Sequence, residues 1–267
     1  MPRQVSGDLT PCIVAFVPRV RARALARSAI PRRHGRVLAV RTADEFATTF
    51  RQKLIDGAVV DVGTPGDEPW RAAALAREFP KIPFFAVLAV RATEAPALAR
   101  CVELEFADVL VEGVDEPAAR EMVAPQLFSA RFARALHVPP AALELTSALQ
   151  RATWARVVAL AGRPVQTSVL ARALGMTREH LSRSFATGGA PNLKRVIDLV
   201  RLLAAAELAK NPGYDVRDVA RILGFASPSH LSATTQRVAG TRPASLSRLR
   251  TTDLVDRFVR GRGRSRG

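Results

Sequence analysis

The sequence predicts an α/β half built on a five-stranded doubly wound parallel sheet, followed by an all-α half with two helix-turn-helix units. Short apolar runs alternate with amphipathic segments up to residue 137, and one helix–turn–helix template occurs twice within residues 165–250. The charge also changes along the chain. Residues 1–139 hold 19 basic and 16 acidic side chains, whereas residues 140–267 hold 21 and 8. The second part, with a net charge of +13, suits a polyanionic partner.

Five apolar runs in the first half are the predicted strands. Each is five to eight residues long and continuous rather than alternating in polarity, which is typical of strands covered on both faces. The runs are CIVAFV (12–17), RVLAV (36–40), GAVVDV (57–62), PFFAVLAV (83–90) and ADVLVEG (107–113).

Three helix-like segments separate these runs, at 42–54, 67–79 and 94–106. Strands that alternate with helices predict a parallel sheet with helices on its connections. The two cysteines, Cys12 and Cys101, have no metal-like spacing, and we expect buried thiols rather than a disulfide.

The stretch AVVDVGTPG (58–66) gives residues 10–125 a resemblance to the receiver domain of bacterial response regulators, a flavodoxin-like fold. In that resemblance Asp61 takes the position of the phosphate-accepting carboxylate. Phosphoryl transfer to such a site also needs Mg²⁺, which prefers oxygen ligands.

The other phosphorylation residues of a receiver are replaced in this chain. Phe16, Val17 and Pro18 stand where receivers carry an acidic pair, and Leu88 and Glu112 stand for the usual hydroxyl and lysine. We therefore expect residues 1–137 to form a pseudo-receiver that serves dimerisation or signal input without phosphorylation. The alternative is a response regulator that is switched by phosphorylation of Asp61.

A connecting helix is predicted between the halves. The segment 116–136 is expected to be the last helix of the first domain, with Pro125 ending or kinking it. Residues 138–164 then connect the domains, and their helical pattern places Trp154 in the second core.

The template that occurs twice is seen in VLARALGMTREHLSRSF (169–185) and DVARILGFASPSHLSATTQRV (218–238). Each copy has a short helix, a turn glycine, a capping hydroxyl and a second helix. A helix-turn-helix places that second helix, its reading helix, in the major groove of DNA. The segment 190–213 between the copies predicts a spacer helix of about 20 residues, which would be about 30 Å long.

Residues 165–250 resemble the DNA-binding domain of the AraC family of transcriptional regulators. The resemblance rests on both copies of the template, on RLLAAAEL in the spacer and on GTRP (240–243). Two positions depart from the family: Thr235 replaces a large aromatic residue, and PASLS (243–247) replaces the terminal aromatic–arginine pattern. The resemblance implies a regulator that binds double-stranded DNA in a sequence-specific manner, with RNA polymerase as a further expected partner.

Helical spacing assigns an outward and an inward face to each reading helix. In the first, Leu181 and Phe185 face the core; in the second, Leu231, Thr235 and Val238 do so. The side chains expected to contact DNA bases are Arg178, Glu179, Ser182, Arg183, Ser229, His230, Ser232 and Gln236, and those expected to contact phosphate are Arg237 and Arg242.

The remaining patterns point to a DNA-binding protein without catalytic residues. No glycine-rich phosphate loop, nucleophile–base pair or metal-ligand cluster is visible, so we expect no enzyme activity, no cofactor and no metal. With no apolar run long enough for a membrane span and no leader pattern, we expect a cytoplasmic protein. Residues 251–267 are expected to be a disordered basic tail that adds salt-sensitive attraction to phosphate. A non-specific nucleoid-associated protein is the second alternative.

Overall fold

The computed structural model describes residues 10–89 and 91–263. The described chain divides into two compact units. The first comprises residues 10–131 together with 211–214, and the second comprises residues 132–210 and 215–263.

The first unit is built on one five-stranded sheet, as the sequence predicts. All its strand pairs are parallel, and the strand order is β2-β1-β3-β4-β5, the flavodoxin-like order. Three of the strands are buried along their whole length. The strands are β1 (Cys12–Phe16), β2 (Arg36–Val40), β3 (Gly57–Asp61), β4 (Phe84–Leu88) and β5 (Asp108–Val111).

Four helices connect the strands of this sheet, and a fifth follows the last strand. The connecting helices are α1 (Val20–Ala29), α2 (Ala43–Gln52), α3 (Glu68–Ala74) and α4 (Ala95–Glu103), and the helix after β5 is α5 (Ala119–Val123). The segment predicted as one helix over 116–136 is interrupted: α5 runs into a 3-10 turn that contains Pro125, and α6 (Phe128–Ala135) begins after it. Proline lacks a backbone N–H and cannot continue the helical ladder, which accounts for the break.

The second unit is all-helical. After α6 come α7 (Ala148–Ala159), α8 (Thr167–Ala173), α9 (Arg178–Phe185), α10 (Leu193–Leu208), α11 (Val216–Ile222), α12 (Pro228–Ala239) and α13 (Thr251–Gly263). Trp154 is fully buried, and its indole N–H donates to the Leu136 carbonyl oxygen at 2.7 Å. Among the described residues, no helix combines the length and apolar character that a membrane crossing requires.

The spacer helix α10 is the centre of this unit. Eleven of its 16 residues are buried, so it packs on nearly every side. At about 1.5 Å per residue it is about 24 Å long, shorter than the predicted 30 Å. The prediction was too long because residues 190–192 precede the helix and residues 209–213 turn away after it.

The C-terminal segment contradicts the predicted disordered tail. Residues 251–263 form α13, in which Leu254, Val255 and Phe258 are buried. Apolar side chains at this helical spacing give the segment a face that packs against α10 and α12, despite its arginines. Residues 264–267 of the predicted tail lie outside the described residues.

Candidate nucleic-acid interface

The first helix-turn-helix unit consists of α8, a turn and α9. Gly175 in the turn has φ +70°, a left-handed conformation that glycine adopts without strain. Thr177 then begins α9, because its hydroxyl accepts the backbone N–H of His180 at 3.2 Å. Leu181 and Phe185 are fully buried and fix the inner face of α9.

A buried glutamine, which the sequence analysis missed, holds the far end of α9. The Gln150 side chain, from α7, is 1% exposed. Its amide nitrogen donates to the Phe185 and Thr187 carbonyl oxygens at 2.8 and 3.0 Å. These carbonyls lie at the end of α9, where intrahelical partners run out, so Gln150 positions the first reading helix.

The outer face of α9 has the predicted composition. Its exposed side chains include Arg178, Glu179, Ser182 and Arg183. The Arg178 Nε donates to Glu179 at 3.1 Å, and the pKa of Glu179 is lowered by a backbone N–H hydrogen bond and by this arginine. Glu179 therefore presents a carboxylate that accepts hydrogen bonds. Within the described part of the chain, Arg183 forms no ion pair, so its five donors face outward.

The second helix-turn-helix unit repeats this construction with α11 and α12. Gly224 has φ +64°, a conformation that favours glycine, and a Cβ there would be in tight contact, 3.0 Å from the Pro164 ring. The Ser227 hydroxyl accepts the His230 backbone N–H at 3.1 Å, and Pro228 occupies the first helical position.

The inner face of α12 is narrow and partly polar. Leu231, Thr235 and Val238 are buried, as predicted, and Thr234 is buried with them. The Thr235 hydroxyl donates to the Leu231 carbonyl oxygen at 2.8 Å, which satisfies the polar group that replaces an aromatic side chain.

The outer face of α12 exposes Ser229, His230 and Gln236, whereas Ser232 is half-buried. His230 is also engaged locally: its Nδ1 accepts the Ala226 N–H at 3.4 Å, and its ring meets the Phe225 ring edge-on at 5.6 Å. Gln236 is the exposed amide of this face, and its oxygen and nitrogen can accept and donate together in a bidentate contact with a base.

The two expected phosphate contacts differ in their surroundings. The Arg237 guanidinium donates to Asp198 of α10 at 2.9 Å and remains 58% exposed. Arg242 is exposed directly before the 3-10 turn Pro243–Arg248.

Besides the contact of Asp198 with Arg237, α10 makes a second connection that the sequence analysis missed. It holds the turn of the second helix-turn-helix unit. The Arg201 guanidinium lies 4.0 Å from the centroid of the Phe225 ring and donates to the Leu223 carbonyl oxygen at 2.9 Å. Burial lowers the pKa of Arg201. In the second helix-turn-helix unit, Arg201 thus holds the turn and Asp198 holds the reading helix.

The other predicted site residue, Asp61, lies at the carboxyl end of the parallel sheet, in the first compact unit. Asp61 ends β3 and is fully buried. The Arg19 Nε donates to both of its carboxylate oxygens at 2.9 and 3.0 Å, a second Arg19 nitrogen also contacts it, and the Thr64 hydroxyl donates at 2.8 Å. The Asp61 carboxylate is therefore saturated with donors from its own chain.

Arg19 joins two carboxylates at this edge. Its guanidinium also lies 2.5 Å from Glu112, which follows β5 and is 6% exposed. The hydrogen bonds and charges of Asp61 and Glu112 raise the pKa of Arg19. A Cβ at Gly63 would lie 2.7 Å from the guanidinium, so this glycine leaves room for it.

The sequence analysis missed Arg19, although it directly follows Phe16–Pro18, the residues identified as replacing the acidic pair. The available signals were its position before α1, which was also missed, and the helical spacing of Ala22, Leu25, Ala26 and Ala29. Among the described residues, no three His, Cys, Asp or Glu side chains are grouped so as to hold a metal ion.

Comparison with known proteins finds a family match within the second compact unit. Residues 170–248 match a family described as a helix-turn-helix domain. This is a DNA-binding domain of AraC type, found in transcription regulators. No curated protein matches the chain.

Solved structures that are similar to this chain include two regulators. Full-length FixJ from B. japonicum is 12% identical, with 70% of this chain and 94% of that chain covered and a TM-score of 0.37. The response regulator StyR is 18% identical, with 72% and 98% covered and a TM-score of 0.39.

Replacing Arg19 by alanine should destabilise the first unit by about 3 kcal/mol, because it leaves two adjacent buried carboxylates without their cation. Urea unfolding followed by Trp70 fluorescence in a Trp154→Phe background measures this. Arg21→Ala, which removes an exposed arginine of α1, is the matched control and should change stability by less than about 0.5 kcal/mol. Equal effects of the two substitutions would contradict a structural role for the Arg19 ion pairs.

Proposed function

We propose that this chain is a sequence-specific transcriptional regulator that inserts α9 and α12 into successive major-groove segments of one duplex. The observation that supports this most is the pair of matched helix-turn-helix units. Each has a capped reading helix with a buried inner face and an exposed polar outer face. The buried helix α10 holds the second helix-turn-helix unit directly, and it packs against α7, whose Gln150 holds the first, so we treat the two units as parts of a single binding surface.

Charge supports a nucleic acid as the partner. The part of the chain that carries these units has a net charge of +13, whereas residues 1–139 have +3. Neutralising phosphates with such a surface releases counterions, so binding should weaken steeply with salt.

The exposed side chains suit recognition of base edges. Arg178 or Arg183 can donate two hydrogen bonds to guanine O6 and N7, and Glu179 can accept from a cytosine amino group. In the second helix-turn-helix unit, the Gln236 amide can form a bidentate contact with the N6 and N7 groups of adenine. Supporting polar contacts come from Ser182, Ser229, Ser232 and the partly engaged His230, and phosphate contacts come from Arg237 and Arg242.

The first unit is proposed to act without phosphorylation, in dimerisation or signal input. A phosphoryl acceptor needs an accessible carboxylate and a bound cation, whereas Asp61 is buried and its partner is Arg19. Leu98 and Val102, one turn apart on α4, are 46% and 71% exposed and suit contact with a second copy of the chain. Contact with RNA polymerase remains a prediction.

Selection of bound fragments from a random DNA library at moderate salt tests the proposed function. The unaltered chain should enrich one motif with two parts about one helical turn apart, and a dimer should enrich two copies of it. Arg183→Ala should lose the preference at one base position and bind the original motif about 5- to 150-fold more weakly, since a bidentate contact contributes about 1–3 kcal/mol.

Arg156→Ala is the matched control, because Arg156 is an exposed arginine of α7 outside both reading helices. It should leave the motif unchanged. Failure to enrich any motif would favour the non-specific nucleoid-associated alternative, and an unchanged motif for Arg183→Ala would remove Arg183 from base reading.

Adding Mg²⁺ and beryllofluoride, an analogue of a phosphoryl group on a carboxylate, should leave DNA affinity unchanged within about twofold. The reason is that Arg19 and Thr64 already engage the oxygens of Asp61 that the analogue would need. Fluorescence anisotropy on the selected duplex measures the affinity, with Asp61→Asn as control. A larger shift that disappears in Asp61→Asn would establish the phosphorylation-switched alternative instead.

A further inference from the structure

We propose that α13 and the C-terminal end of α12 form a fixed binding cleft for a DNA backbone phosphate beside the second reading helix. This inference rests on the proposed function, since it assigns a further part of the same DNA-binding surface. The sequence analysis expected a disordered basic tail here, whereas the proposal assigns phosphate binding to Arg257 and Arg260 of an ordered helix.

The cleft is a cavity of about 610 Å³ that opens between the two helices. Of the described residues that line it, none is acidic. The lining includes Gln236, Arg237 and Gly240 from the end of α12 and Arg257, Arg260 and Gly261 from α13. Guanidinium groups present rigid forks of N–H donors that match phosphate oxygens, so the chemistry of this lining is that of a phosphate site.

Packing holds the α13 arginines in place. Leu254, Val255 and Phe258 bury the inner face of the helix, and the Arg195 guanidinium lies 5.0 Å from the centroid of the Phe258 ring. Arg257 and Arg260 are three residues apart, so they project from neighbouring positions of one helix face. Their backbone is therefore fixed before DNA arrives, which lowers the entropy lost on binding.

The donors at the cleft are only partly used within the protein. The Arg260 Nε donates to the Asp256 carbonyl oxygen at 3.3 Å, and Arg237 shares its charge with Asp198. Gly240 ends α12 with φ +61°, and the space where its Cβ would stand is open. The cleft is therefore not narrowed by a side chain at this position.

The position of the cleft indicates duplex DNA rather than a free anion. Gln236 belongs both to the outer face of α12, where bases are read, and to the lining of the cleft. A group bound in the cleft therefore lies at the border of the groove that α12 enters. In a duplex that border is the phosphate backbone.

The double substitution Arg257→Gln with Arg260→Gln in the full chain tests this assignment. The slope of log affinity against log salt should fall in magnitude by about 2, since each lost phosphate contact removes about one unit. At moderate salt we expect about tenfold weaker binding to the selected duplex and to a random duplex alike, because phosphate contacts carry no base information.

Arg32→Gln with Arg33→Gln is the matched control. It removes the same charge from two exposed arginines of the first unit and should leave the salt slope unchanged. Equal slopes for the two double variants, whether both altered or both unaltered, would overturn the cleft. If the unaltered chain bound no DNA, the proposed function and the cleft would both fail, whereas motif selection without a slope difference would overturn the cleft alone.

A second measurement does not depend on the folding of that variant. Ethylation of individual phosphates of the selected duplex should weaken binding of the unaltered chain at phosphates bordering the half-site of α12, and Arg257→Lys with Arg260→Lys should retain this pattern through its charge. Interference confined to the half-site of α9 would overturn the proposal. Trp154 fluorescence during urea unfolding verifies that each variant keeps the helical unit intact.

Discussion

The burial of α10 is the constraint on which the DNA-binding surface depends. A helix with eleven of its 16 residues buried cannot rotate or slide without exposing its core, so it fixes whatever is attached to it. Two side chains of α10 extend that rigidity to the second helix-turn-helix unit. Arg201 contacts Leu223 and Phe225 in its turn, and Asp198 accepts a hydrogen bond from Arg237 in its reading helix. Gln150, from α7, holds the end of α9 through its hydrogen bond to the Phe185 carbonyl oxygen. The reading helices can then use few apolar residues, because their positions are determined by these contacts.

The sheet edge of the first unit shows a different use of buried charge. Asp61, Arg19 and Glu112 come from three neighbouring segments of the fold, and the one guanidinium of Arg19 pairs with both buried carboxylates. Such a group loses stability when one member is removed, which makes it a fixed structural element rather than an open site.

Periodicity was sufficient to predict the five strands and both helix-turn-helix units, because continuous apolar runs and repeated glycine turns are local signals. The caps Thr177 and Ser227 were likewise predictable from their position after the turn. The contacts of Arg19, Gln150 and Arg201 depend on residues 22 to 93 positions away, which no local pattern reveals. α13 was missed for another reason: the five arginines of residues 257–267 obscured the spacing of Leu254, Val255 and Phe258.

Protection of guanine N7 from methylation on the selected duplex tests the central claim most directly, because N7 faces the major groove. If both reading helices enter the groove, protected guanines should form two clusters about 10 base pairs apart, on one face of the duplex. A single cluster, or protection without this spacing, would contradict a reading surface that is set by α10.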